Sequence, residues 1–237
     1  MIAQGAAIGL IPARGGSKSI PLKNLVQIAG RPMISYVISA GQAATSLAGV
    51  LCSTDDARIA AVCRHAGVEV LDRPPSLAMD DSPVADVLRD VLTTIGERHG
   101  EIPEMIALLQ PTSPLVLAEH IDSCVQALSR QPAADSAQTI VPVNHNSHAY
   151  NQRVVEDGVV RFRFIEERRA AYNKQRKPSH YLFGNVVVSR SASLLAGKDC
   201  FGELSVPVEI PRAYALDVDT LDDVAYAEFV IRTKGFA

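Results

Sequence analysis

Short dense apolar runs alternate along this chain with stretches of helical spacing. Ile8–Ile11 is an apolar run closed by Pro12 and reads as a first strand. After Pro32, Met33, Tyr36, Val37 and Ala40 recur at helical spacing, which predicts an amphipathic helix over 33–44 with Pro32 at its first position. Gly49–Ser53 reads as a second strand. Ile59, Ala60, Val62 and Cys63 form the next helix, stopped at Gly67, and Val68–Leu71 a third strand. The paired prolines of Asp72-Arg73-Pro74-Pro75 force a loop. Ser82-Pro83 is a helix start, with Ser82 as N-cap, and Val84, Val87, Leu88, Val91 and Leu92 make one apolar face. Met105–Leu109 is a buried strand, ended by Gln110-Pro111-Thr112-Ser113-Pro114, and a helix follows to about Leu128. Strand and helix alternate through this half, which predicts an α/β fold with a parallel sheet and crossover helices.

The second half departs from that rhythm. Thr139–Val143, Val186–Val188 and Ser205–Ile210 read as strands, but 144–179 has no clean period. Asp157-Gly158 between two valine pairs is a hairpin signal. Thr220 with Asp223 forms a capping box for a last helix. The expected organisation is one domain over 1–237 with an arm inserted at about 144–180.

At 237 residues, with 47% hydrophobic and 21% charged residues, the composition is that of an ordinary soluble globular protein. A net charge of −3 gives no overall basic footprint for nucleic acid. Cys52, Cys63, Cys124 and Cys200 form no CxxC pair, so neither a zinc nor a redox motif is suggested, and Cys52 and Cys63 read as buried thiols. No basic segment precedes the first apolar run and no stretch of 18 apolar residues occurs. The expectation is therefore a cytoplasmic chain without membrane partners.

Positive charge is local. Arg14, Lys18 and Lys23 surround Gly15-Gly16 and Ser17 just past the first strand. Glycines let the backbone turn and approach a ligand, and successive amides in such a turn form an anion nest. That loop predicts phosphate binding. It has neither the GxxxxGK[ST] nor the GxGxxG pattern, so a P-loop enzyme or a dinucleotide-dependent oxidoreductase is disfavoured. Asp217 and Asp219 point to one face of an extended segment and suit Mg²⁺, which takes one or two carboxylates plus phosphate oxygens.

Pro12-Ala13-Arg14, Gly16-Ser17-Lys18, Pro21, Lys23 and Asn24 resemble the N-terminal signature of the CMP-sialic acid synthetase (acylneuraminate cytidylyltransferase) family. Ser53–Asp56, Arg73-Pro74 with Leu77-Ala78-x-Asp80, Leu109–Leu115 and Leu216–Asp223 resemble further blocks of that family in the same order. The resemblance implies a three-layer Rossmann-like nucleotidyltransferase fold, a mostly parallel central sheet and an inserted dimerisation arm. It implies CTP as nucleotide, held by Ala13, Arg14, Gly15, Gly16, Ser17, Lys18, Lys23 and Asn24, with Arg73 and Ser82 on the base side. Arg14, Lys23 and Asp217 would serve catalysis, and Asp217 and Asp219 would hold Mg²⁺. Gln110, Thr112, Ser113 and Asn185 would face an acidic sugar. A family arginine is replaced by Phe183, so Lys174, Arg176 or Lys177 from the arm of a second copy would meet the sugar carboxylate. The acid would be sialic-like, with legionaminic or pseudaminic acid, an octulosonic acid or a phosphonate as alternatives. A non-catalytic nucleotide-binding regulatory protein is the alternative of another class.

Overall fold

The computed structural model describes residues 6–17, 19–171 and 173–235. In chain order the strands are β1 (Ala7–Pro12), β2 (Gln27–Ile28), β3 (Arg31–Pro32), β4 (Leu47–Thr54), β5 (Glu69–Asp72), β6 (Met105–Leu109), β7 (Ser136–Pro142), β8 (Arg153–Glu156), β9 (Val159–Phe162), β10 (Tyr181–Arg190) and β11 (Ser205–Glu209). The helices are α1 (Met33–Ala43), α2 (Ala57–His65), α3 (Val84–His99), α4 (Ala118–Ser129), α5 (Ile165–Ala170), α6 (Ser191–Leu195) and α7 (Leu221–Lys234).

Seven strands form one sheet in the order β11-β7-β10-β6-β1-β4-β5. Only β10 runs antiparallel to its neighbours there; the other pairs are parallel. Helices cover both faces, which explains why β1 and β6 are apolar at every position rather than at every second one. Successive residues of β1 feed opposite layers. Ala7 and Ile11 pack with α1, α2 and α4 residues such as Ile34, Val37, Ile59 and Ile121. Ile8 and Leu10 pack with Leu88, Val91 and Leu92 of α3 and Leu194 of α6. A third cluster joins Ile28 and Met33 to Val218 and to Ala227, Val230 and Ile231 of α7. All four cysteines are buried free thiols, and burial pushes the Cys124 thiol up to about 12.

The sheet's outer strands are short and polar-edged. On β5, Glu69 and Asp72 are exposed, and β11 carries Pro207 at its centre. No helix among the described residues is long and apolar enough to cross a membrane.

Two local expectations change at helix starts, and the expected hairpin forms. Pro32 and Pro83 are the caps of α1 and α3 rather than their first residues. The Ser82 hydroxyl donates to the Ser76 carbonyl at 3.0 Å instead of capping α3. In the aperiodic stretch, β8 and β9 pair through Asp157 and Gly158, whose φ values of 51° and 74° suit the mirror-image turn. The short α5 follows, a helix too brief to show a period.

Candidate active site

The carboxyl ends of β1, β5 and β6 open onto one cavity of about 420 Å³, within the range of small-molecule sites. This is where ligands sit in open α/β sheets. From the loop after β1 come Arg14, Gly16, Ser17, Ser19, Lys23 and Asn24. From the segment after β5 come Arg73, Leu77, Met79, Asp80, Ser82, Val84 and Val87. From the loop after β6 come Gln110, Pro111 and Thr112. Three cations thus face a cavity that Leu77, Met79, Val84 and Val87 line together with Asp80, Ser82, Gln110 and Thr112.

Each cation is held differently. Arg14 donates to Asp80 at 2.5 Å and Lys23 to Asp219 at 2.8 Å. Arg73 is buried, its guanidinium donating to the Ser53 carbonyl at 2.8 Å and to the Ser53 hydroxyl at 3.3 Å. Burial pulls it below the usual arginine value, with Asp55 opposing, and it remains a cation. Its fixed position makes it a rigid part of the wall.

The loop after β1 is moored from behind. The Ala13 amide donates to the Ser53 carbonyl at 3.0 Å, the Gly15 amide to Asp55 at 2.8 Å, and the Asn24 amide side chain to the Arg14 carbonyl at 3.0 Å. Ala13 is fully buried, so Ala13 and Gly15 support the loop with the amides expected to meet phosphate. A Cβ on Gly15 would lie 2.7 Å from the Asp56 carboxylate, so close approach explains that glycine. Neither Gly15 nor Gly16 has a left-handed backbone. That conformation falls on Leu22, at φ 52°, immediately before the turn that presents Lys23. Asp56 caps α2 and is held at about 2, first by its Arg58 hydrogen bond. The Ser53–Asp56 block is therefore scaffolding. Lys18 and the side chain of Lys174 lie outside the described residues.

Two expected acceptor-side residues are not on the cavity wall. Ser113 is buried, its amide bonded to the Gln110 carbonyl. Asn185 is 1% exposed, with its side chain bonded to Thr139, His120 and the Tyr214 carbonyl. The inward turn of Asn185 does not follow from local sequence, because its partners Thr139, His120 and Tyr214 are distant in the chain. Phe183 packs edge-on against Phe201 at 5.6 Å in the α3-side core. Lys177 donates to Asn151 within the arm, and Arg176 is part of a short turn there.

Asp217 and Asp219 flank Val218, which is fully buried, so both carboxylates are exposed together. The Val218 amide donates to the Thr112 carbonyl at 2.8 Å, which ties the segment to the cavity wall. The Asp223 side chain accepts from the Asp219 and Thr220 amides and the Thr220 hydroxyl, fixing the start of α7. No cluster of three or more His, Cys, Asp or Glu side chains that would enclose a metal occurs among the described residues. Two oxygen-donor groups beside an open cationic cavity fit Mg²⁺ that completes its shell with phosphate and water.

A family model described as cytidylyltransferase matches residues 8–182. The chain belongs to the cytidylyltransferase family. It is 26% identical over 235 residues to an N-acylneuraminate cytidylyltransferase of Streptococcus agalactiae, covering 96% of this chain and 55% of that protein. It is also 26% identical over 223 residues to the CMP-N,N'-diacetyllegionaminic acid synthase of Legionella pneumophila, covering 93% and 94%. The chain spans about half the length of the N-acylneuraminate cytidylyltransferases it matches, including that of Escherichia coli O18:K1:H7. A solved CMP:2-keto-3-deoxy-manno-octonic acid synthetase, complexed with CTP, shares the fold with a TM-score of 0.71 at 18% identity, over 97% of this chain and 99% of that one. The resemblance seen in the sequence blocks therefore extends along nearly the whole chain.

His120 was not singled out by sequence and proves central to the packing. It is buried beside Tyr214, ring centroids 5.2 Å apart, and its Nδ1 accepts from the Leu117 amide and from Asn185. Burial lowers its proton affinity, against a smaller opposing effect of Glu119. The unfolded chain takes up this proton near pH 6.5, the folded chain only lower. Stability is thus full above pH 6.5 and declines as pH falls below it. Urea midpoints of the wild type should fall between pH 7 and 5, and His120→Gln should flatten that slope. An unchanged slope in the variant would remove His120 as its cause.

Proposed function

We propose that the chain transfers CMP from CTP to an acidic sugar, releasing pyrophosphate. The observation that carries this reading is the convergence of Arg14, Lys23 and Arg73 on one cavity, with Asp217 and Asp219 tied to its wall. Family membership supports the nucleotidyl chemistry. Arg14 and Lys23 would exchange their carboxylate partners for triphosphate oxygens. Gly16, Ser17 and Asn24 would line the phosphates, and Arg73 and Ser82 the base, beside Leu77 and Val84. Asp217 and Asp219 would hold Mg²⁺, whose charge offsets that developing on the leaving pyrophosphate. Gln110 and Thr112 would face the acceptor. Catalysis of this kind rests on positioning and charge neutralisation.

The acceptor is read as a sialic-like nonulosonic acid; the names of the relatives equally support legionaminic and octulosonic acids. Pyrophosphate release with CTP against nonulosonic acids, octulosonic acids and phosphonates tests the reading. Turnover with one acid and CTP, and little with ATP or GTP, is expected. Equal turnover with purine triphosphates would remove cytidine, and no turnover with any acid would favour a non-catalytic nucleotide binder.

The arm at 144–180 is read as the dimer contact. Its hairpin exposes Val155, Val159 and Val160, at 72%, 50% and 63%, and an apolar hairpin of this kind needs a cover. A second copy related by two-fold symmetry provides one, and brings Arg176 and Lys177 toward the neighbouring cavity to supply the cation that position 183 does not. Deleting 150–178 should give a monomer by sedimentation and abolish turnover. A deletion variant that stays dimeric and fully active would remove the arm from both roles.

A further inference from the structure

We infer that Asn185 is a positioning residue that clamps the Asp217–Asp219 segment against the nucleotide cavity. This rests on the reading that those carboxylates hold Mg²⁺.

The clamp begins with an irregularity in the sheet. Along β10 the chain advances from Phe183 to Val187 while β7 advances only from Ile140 to Gln138. Extra residues on one strand make a bulge, and a bulge re-aims side chains. The Thr139 hydroxyl fills the gap, accepting from the Asn185 amide at 2.8 Å and the Val186 amide at 3.1 Å. It lies within 3.2 Å of both the Asn185 side-chain oxygen and the Val186 carbonyl, and donates on that side.

So aimed, Asn185 spends both side-chain N–H donors inside the protein. One goes to His120 Nδ1 and the other to the Tyr214 carbonyl, each at 3.1 Å. The two targets belong to the two halves of the site. His120 Nδ1 also accepts from the Leu117 amide at 3.3 Å, at the end of the loop that carries Gln110 and Thr112. Tyr214 lies three residues before Asp217, and the Val218 amide returns to Thr112 at 2.8 Å. Asn185 therefore closes a ring: cavity loop, His120, Asn185, Tyr214, carboxylate segment, cavity loop. Losing a buried amide that bonds two acceptors removes a hydrogen bond from each and cuts the link between them. The segment then keeps the Val218–Thr112 bond and the Asp219–Lys23 ion pair but loses its tie to the helix side.

Asn185→Asp preserves shape and turns a donor into a third acceptor facing two others. The readout is Mn²⁺ binding in the presence of CTP, followed by electron paramagnetic resonance, for wild type, Asn185→Asp and Asp217→Asn, with a thermal melt of each. Both variants should bind Mn²⁺ at least ~10-fold more weakly while still melting cooperatively. If Asp217→Asn weakens binding and a folded Asn185→Asp does not, the clamp is overturned and the metal reading stands. If Asp217→Asn binds as wild type, the metal reading falls and the clamp with it. A rise in KM for the acceptor alone, with Mn²⁺ binding unchanged, would put Asn185 on the substrate and also overturn the clamp. Should Asn185→Asp not melt cooperatively, His120→Gln opens the same ring from the helix side and is read by the same two outcomes.

Discussion

Replacing Asp217 by Asn is expected to lower turnover at least ~100-fold, about 2.7 kcal/mol of transition-state stabilisation. Shape is kept and one charge is removed. Asp217 sits beside a fully buried Val218 whose amide is bonded to Thr112, so the backbone around it should not move. The loss would therefore report on the carboxylate itself. Asp219→Asn should cost as much and has a second consequence, because it frees Lys23 from a 2.8 Å ion pair. Lys23 would then meet phosphate without first giving up a partner, so CTP binding should suffer less than turnover. Pyrophosphate release at saturating Mg²⁺ measures the first effect, and the split between KM and kcat the second. Near-normal turnover in both variants would remove these carboxylates from metal binding.

The second large effect concerns folding. A Cβ on Gly184 would lie 2.5 Å from the Thr139 hydroxyl, 2.8 Å from the Thr139 Cβ and 3.0 Å from Ile210. Thr139 is fully buried and its hydroxyl is committed to two amides, so it has nowhere to go. Gly184→Ala should therefore cost about 1–3 kcal/mol for overpacking and about 1 kcal/mol more for a weakened buried hydrogen bond. For a chain of this size, ~3 kcal/mol lowers Tm by roughly 6–12 °C. A melt within 2 °C of wild type would mean that the bulge relaxes at little cost. An exposed glycine with open space around it, such as Gly49, serves as the control.

The alternating half of the fold was legible because its strands are buried on both faces and its turns are marked by Pro and Gly. Met105–Leu109 is a strand with the bounds its apolar run predicts, and the Thr220–Asp223 capping box forms as its spacing implies. The apolar run Val186–Val188 marks only the middle of β10, which spans Tyr181–Arg190. Its first residues, Tyr181 and Leu182, are half exposed, and the bulge breaks its period. The cavity loops were legible as motifs; their partners were not. Asp80 closes on Arg14 from 66 positions away, and Asp219 on Lys23 from 196. No local pattern encodes such pairs. Asn185 shows the same limit from the other side: its residue type suits a ligand contact, but a hydroxyl on β7 and a carbonyl beyond β11 turn it inward.

The two ends of the sheet decide how the protein behaves in a crowded solution. A free edge strand offers unpaired amides and carbonyls on which another chain can extend the sheet. Pro207, midway along β11, has no amide hydrogen to offer such a newcomer, and only edge strands tolerate proline there. At the opposite end, β5 is four residues long and begins and ends on exposed carboxylates, Glu69 and Asp72. An incoming strand would find too little length and the wrong charge. Open-ended, fibre-like growth is thus blocked at both edges, and copies of the chain are left to meet through their other surfaces.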